Sequence, residues 1–187
     1  MRIGFFCPTI NRTGGGEWVT LNMIDALNSR KHKIVVYSAK KTDSLHIKEF
    51  FGRNLRFDDE ITFWPNIFDP FSLESIYFNL SKSFFFNLRC DLLIDTFSND
   101  LYPWSDAVYF QGKPRILRMP HGLKGITFLP YRAFLRANAR RIKPEDKILM
   151  TCSEHCAQII EESIGLTARV LYPPVSDFFK IQNARNR

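Results

Sequence analysis

Residues 2–38 read RIGFFCPTINRTGGGEWVTLNMIDALNSRKHKIVVYS, and this stretch decides the fold. RIGFFC (2–7) is apolar and ends at Pro8, which cannot donate to a sheet ladder. Three glycines follow (14–16) and lead into a helical pattern over 16–30, in which Trp18, Leu21, Ile24 and Leu27 recur at helical spacing. KIVVYS (33–38) is again short, apolar and β-branched, the mark of a strand buried on both faces. A strand, a helix and a second buried strand in this order form a parallel pair joined by a helical crossover.

The same alternation runs through the rest of the chain. SLHIKEFFG (44–52) reads as a short helix ended by glycine, and a weaker strand is expected near 61–65. Residues 69–89 read as a helix with Asp69 as cap and Pro70 in its first turn. DLLIDTF (91–97), DAVYFQ (106–111) and RILRM (115–119) read as strands, and 129–143 as a basic helix that stops before Pro144. A strand at 146–153, a helix at 154–165 and a last strand at 168–175 complete the pattern. The expected fold class is α/β, a doubly wound parallel sheet with helices on both faces. No internal repeat or low-complexity tract interrupts it.

Bulk composition narrows the class. With 187 residues the chain has the length of one well-packed domain. Lys and Arg number 26 against 19 Asp and Glu, a formal charge of +7 that suits phosphate, nucleic acid or an anionic membrane face. No nucleic-acid-reading motif accompanies the charge, so nucleic acid is the weaker partner. No apolar run reaches the roughly 18 residues of a spanning helix, and the first run is shorter than a signal-peptide core. A cytosolic protein is expected. Cys7, Cys90, Cys152 and Cys156 are scattered in or beside apolar runs and read as reduced, structural thiols. CSEHC (152–156) lacks the paired spacing and the fourth ligand of a zinc site, so no metal is expected.

The glycine loop has two readings. Glycine tolerates positive φ and lets a ligand approach the backbone, and the N–H groups of the following helix suit phosphate. The alternative is a tight strand–helix corner that holds nothing. Neither common phosphate signature fits: no Lys-Ser/Thr follows the glycines, and the spacing is not G-x-G-x-x-G. No acidic residue ends KIVVYS to take a ribose, which argues against a nicotinamide cofactor.

The order of these motifs resembles the N-terminal half of a GT-B glycosyltransferase of family 4, the large retaining group. Gly15, Gly16 and Glu17 match that family's GGxE loop, and RKHKIVVYS matches its second strand. KILMTCSEHCAQIIEESIGLTARVLYPPV matches the run that closes the first domain. The YPPV ending and the aromatic–basic helix are loosely similar to mannosyltransferases that extend dolichol-linked oligosaccharides. The likeness covers both ends of the chain and hardly the middle (40–105).

The resemblance implies an acceptor-side domain over 1–175, the start of a linker at 176–187, and a nucleotide-sugar domain outside this sequence. It implies that Gly14, Gly15 and Gly16 face the donor diphosphate, with no metal and no cofactor beyond the nucleotide sugar. It also implies a catalytic histidine at the end of AVYF, where this chain has Gln111; His121, in MPHG, is the other candidate for that role or a plain loop residue. Glu154 and Glu162 have the spacing of the family's donor-binding glutamates but lie on a first-domain helix without the glycine loop. They read as a solvated helix face.

Arg132, Arg136 and Arg140 are spaced by four and form one basic stripe. It reads either as a solvated face or as a contact for anionic lipid or a polyprenyl-linked acceptor. The expected function is transfer of a sugar, with mannose as the candidate, from a nucleotide sugar to a glycan or lipid-linked acceptor by the full-length enzyme, the isolated chain being inactive. A peripheral position on the inner face of a membrane would follow. The alternatives are a non-catalytic glycan- or lipid-binding module of this fold, or an unrelated small nucleotide-binding α/β protein.

Overall fold

The computed structural model describes residues 1–12, 14–52, 54–62, 90–114, 129–130, 132–133, 136–137, 143 and 146–175. Seven strands form one sheet: β1 (Arg2–Phe6), β2 (Lys33–Ser38), β3 (Asp59–Thr62), β4 (Leu92–Asp95), β5 (Ala107–Phe110), β6 (Ile148–Thr151) and β7 (Arg169–Val170). Their order is β3-β2-β1-β4-β5-β6-β7, and every neighbouring pair is parallel. The helices are α1 (Gly15–Ser29), α2 (Ser44–Phe51) and α3 (Glu154–Ile164). The doubly wound α/β class read from the sequence is the fold observed.

Strand pleating divides the core between two faces. Ile3, Phe5, Ile34, Val36 and Ile94 point one way and pack with Leu21 and Ile24 of α1 and Ile47 and Phe51 of α2. Their sequence neighbours Val35, Tyr37 and Leu93 point the other way, as the period of two requires. Val108 pairs with Asp95, so it shares the face of Leu93. On that face Val108, Phe110 and Leu149 meet Ile160 of α3. Thus α1 and α2 cover one face and α3 the other. The physical reason is handedness: crossovers are right-handed, so a chain that winds outward from β1 in one direction and later in the other must change faces.

Local signals explain the helix ends. Asp43 caps α2, its side chain accepting from Leu45 N and His46 N, and Ser153 caps α3 by accepting from Cys156 N. Gly52 and Gly165 close those helices in the left-handed region at φ 75° and 71°. The last strand is shorter than expected. Residues 168–175 read as a strand, yet only Arg169–Val170 pair, because Pro173 and Pro174 have no N–H to offer a ladder. Leu171 N still donates to Thr151 O at 2.8 Å, and the chain then crosses back to α1, where Trp18 Nε1 donates to Pro174 O at 2.9 Å. The expected helix at 69–89 and strand at 115–119 lie outside the described residues, as does 63–65 of the expected third strand, which begins earlier, at Asp59.

Lys147 pins the loop between β4 and β5. Its ammonium donates to Tyr102 O and Pro103 O, both at 3.2 Å, and to Ser105 O. Burial lowers its pKa, with Asp106 and Asp146 opposing. Lys147→Met keeps the aliphatic stem and removes the ammonium from Pro103 O and Ser105 O, while Tyr102 O keeps Ser105 N and the Ser105 hydroxyl as donors. It is expected to lower stability by about 1.5–3 kcal/mol, the range for hydrogen bonds to a charged group, in urea denaturation. An unchanged midpoint would mean that water replaces the ammonium fully.

Candidate functional site

In this topology the chain leaves β1 toward β2 and returns to β4, so the C-terminal ends of β1 and β4 splay their loops apart. Open α/β sheets bind ligands in the crevice at such a reversal. A cavity of about 450 Å³ occupies it. Cys7 and Thr9 come from the loop after β1, Gly15, Gly16 and Glu17 from the first turn of α1, and Thr96, Phe97 and Asn99 from the loop after β4. Gln111 and Lys113, just past β5, complete the wall. A second hollow of about 600 Å³, lined by residues such as Lys31, Arg56 and Asp58, lies toward the opposite strand ends. Those ends are not where this class of sheet binds ligands.

The β4 loop is built by hydrogen bonds the sequence alone does not announce. Asp95 is fully buried and accepts from Phe97 N and Ser98 N, both at 2.9 Å, and from the Ser98 hydroxyl. Thr96 joins three elements: its N–H donates to Phe6 O, its hydroxyl meets the Thr20 hydroxyl at 2.9 Å, and its carbonyl accepts from Gln111 Nε2. Asn99 sits at φ 53° and accepts from Gln111 N at 2.7 Å. Gln111 is therefore held at both backbone and side chain.

The three glycines serve different ends, and none of them takes positive φ. Gly14 is the cap of α1 with extended backbone, φ −111° and ψ 178°, and is not among the residues lining the cavity. A Cβ there would fall 2.8 Å from Glu17 Oε2. At Gly16 a Cβ would fall 2.3 Å from the Gln111 carboxamide, whereas at Gly15 it would meet nothing within 4 Å. Close approach, rather than a left-handed turn, is what the loop requires. The first intrahelical bond runs from Trp18 N to Gly14 O, so the N–H groups of residues 15–17 stay outside the helix ladder.

Glu17 and Lys113 are the charged residues of the lining. Glu17 accepts from the Thr9 hydroxyl at 2.5 Å, which places a carboxylate beside the positive end of α1. Cys7, buried beneath, has its thiol pushed up to about 12 by burial, with the Glu17 charge adding to it. It is a neutral wall group and no nucleophile. The cavity thus offers free amide N–H groups, a carboxylate, an ammonium and a carboxamide around an aromatic edge, Phe97. That set suits a polyhydroxylated ligand carrying an anionic group.

Of the residues singled out from sequence, Gly15, Gly16 and Gln111 meet in this cavity. His121 and Arg140 lie outside the described residues. Arg132 and Arg136 are helical, Arg136 exposed, and neither lines the cavity. Glu154 and Glu162 are exposed on α3, where they accept from the Tyr172 hydroxyl and from Gln158. Thr9, Thr96, Asn99 and Lys113 were not singled out by sequence reasoning. The polar cluster SND directly after DLLIDTF was the available signal, since loops at strand ends carry function. Among the described residues no three metal-ligating side chains converge, and no helix is long and apolar enough to cross a membrane.

No protein-family model and no curated protein matches this chain. The class defined by its fold is the parallel, doubly wound α/β domain with a crevice at the strand-order reversal.

Proposed function

We propose that this chain is the acceptor-side domain of a retaining glycosyltransferase that moves a sugar from a nucleotide sugar to a glycan or lipid-linked acceptor. One observation carries the reading. Gly15 and Gly16 match the family's glycine loop, Gln111 falls where its histidine would stand, and these residues from distant stretches line one cavity. In this reading the amide groups at the start of α1 and the Lys113 ammonium compensate charge on the leaving diphosphate. Glu17, oriented by Thr9, accepts a hydrogen bond from a sugar hydroxyl. Gln111 orients the reacting sugar through its carboxamide and transfers no proton. The net charge of +7 and the basic positions Arg132, Arg136 and Arg140 favour an anionic, lipid-linked acceptor.

Backbone amide spectra of the ¹⁵N-labelled chain, titrated with GDP and with UDP, test the site. Weak binding is expected, in the millimolar range, with shifts concentrated on Gly15, Gly16, Glu17 and Gln111. Gly15→Val adds a side chain into open space, so it should leave the fold intact and weaken binding by at least about tenfold, the equivalent of roughly 1.4 kcal/mol. Shifts that avoid this cavity would overturn the site. Sub-micromolar binding would instead favour a self-sufficient nucleotide-binding protein. Sugar transfer is assayed in the natural polypeptide that carries these residues, and no transfer from any nucleotide sugar there would favour the binding module.

A further inference from the structure

The cysteines of the chain are not equivalent. Cys7 is buried, and the Cys90 thiol meets the Tyr37 hydroxyl at 3.9 Å. Cys152 and Cys156 are each half-exposed, and their sulfurs lie 3.7 Å apart. Cys152 directly follows β6, one residue before the cap of α3, and Cys156 is in the first turn of α3. Two further bonds fix this arrangement: Cys152 N donates to Phe110 O at 3.3 Å, and Cys156 N donates to the Ser153 hydroxyl at 3.2 Å. The two thiols are therefore held face to face by a strand end and a helix cap.

We propose that Cys152 and Cys156 form a reversible dithiol–disulfide site whose co-reactant is a low-molecular-weight disulfide such as oxidised glutathione. An S–S bond requires the sulfurs to close by about 1.7 Å from their present separation. Cys156 is the attacking group, because burial raises the pKa of Cys152 and disfavours the Cys152 thiolate. Its sulfur attacks one sulfur of glutathione disulfide and expels one glutathione thiolate, giving a mixed disulfide. The Cys152 thiolate then attacks the Cys156 sulfur and expels the second glutathione. Two protein thiols are oxidised to one disulfide, one glutathione disulfide is reduced to two glutathiones, and these take up the two protons. Excess glutathione reverses both steps. The site lies one strand from the cavity, since the same Phe110 carbonyl that accepts from Cys152 N precedes Gln111. The inference does not depend on the glycosyltransferase reading.

The test equilibrates the folded chain in buffers of varied glutathione to glutathione disulfide ratio, quenches with acid and digests with trypsin. Both cysteines fall on one peptide, 148–169, bounded by Lys147 and Arg169, so closure appears as the loss of two hydrogens from that peptide. Closure is expected, at a ratio of reduced to oxidised glutathione at least about tenfold more reducing than the urea-unfolded chain needs, because the fold raises the effective concentration of one thiol at the other. Cys152→Ser is expected to carry a glutathione adduct on Cys156 instead. A wild-type peptide that stays reduced, one that stops at the adduct, or equal closure in folded and unfolded chain would each overturn the proposal.

Discussion

Gly4→Val is expected to destabilise the protein by about 3 kcal/mol, although valine is the better strand former. Gly4 sits in β1 between Val35 of β2 and Leu93 of β4. A Cβ there would lie 2.8 Å from Leu93 Cδ1 and 2.9 Å from both Cys90 Sγ and the Tyr37 ring. Leu93 and Tyr37 are each 1% exposed, so neither has room to retreat. Overpacking of this kind typically costs about 1–3 kcal/mol, and valine adds two methyls beyond the clashing atom. The gain in strand propensity, at most about 1 kcal/mol, offsets only part. Urea denaturation measures the net effect, with Gly4→Ala expected to fall between the two. Equal stability of valine variant and parent would show that the face can open without loss.

The second large effect is alkaline. The folded Cys7 thiol keeps its proton to about 12, while in the unfolded chain it titrates near 9.0. Between these values the unfolded state has lost a proton that the folded state retains, so stability falls as pH rises. Below pH 9 the contribution is intact. Each pH unit in that window costs up to about 1.4 kcal/mol, so about 4 kcal/mol is lost by pH 12. Burial is the main cause and the neighbouring Glu17 carboxylate the second. Tyr109, raised to about 12 from 10.0 chiefly by burial, adds a smaller loss over the upper part of the same range. Comparison with Cys7→Ala isolates the thiol: the stability advantage of the parent should shrink by about 3 kcal/mol from pH 9 to pH 12. A constant difference across that range would mean that water reaches the thiol.

The strand–helix alternation was legible because it depends on local period. Apolar runs of four to six residues and a helical spacing between them mark β1, α1 and β2 whatever surrounds them. The stop of α2 was legible at Gly52, where the residue type itself carries the conformation. The inward face of α1 was read less well. Trp18, Leu21, Ile24 and Leu27 set the pattern, yet the fully buried set is Val19, Thr20, Leu21 and Ile24. Thr20 is inside because its hydroxyl meets Thr96 and Gly16 O, partners no local pattern reveals. Trp18 is only partly buried, lying edge-on to Phe50 and Phe51 with its indole N–H on Pro174.

By itself the sequence determined that strands and helices alternate, that the sheet is parallel and covered on both faces, and that the first turn of α1 has no side chains at 15 and 16. These are consequences of side-chain periodicity and of the atoms glycine lacks. Only the tertiary structure decided that β1 lies beside β4, and with it that Thr9, Thr96 and Gln111 share one cavity with those glycines. It also decided that Gly4 has no room for a methyl group, and that two half-exposed thiols lie within 3.7 Å. The reason is that strand order is fixed by burial summed over the whole sheet. The distances between loops at the strand ends follow from that order and are written in no single stretch of the chain.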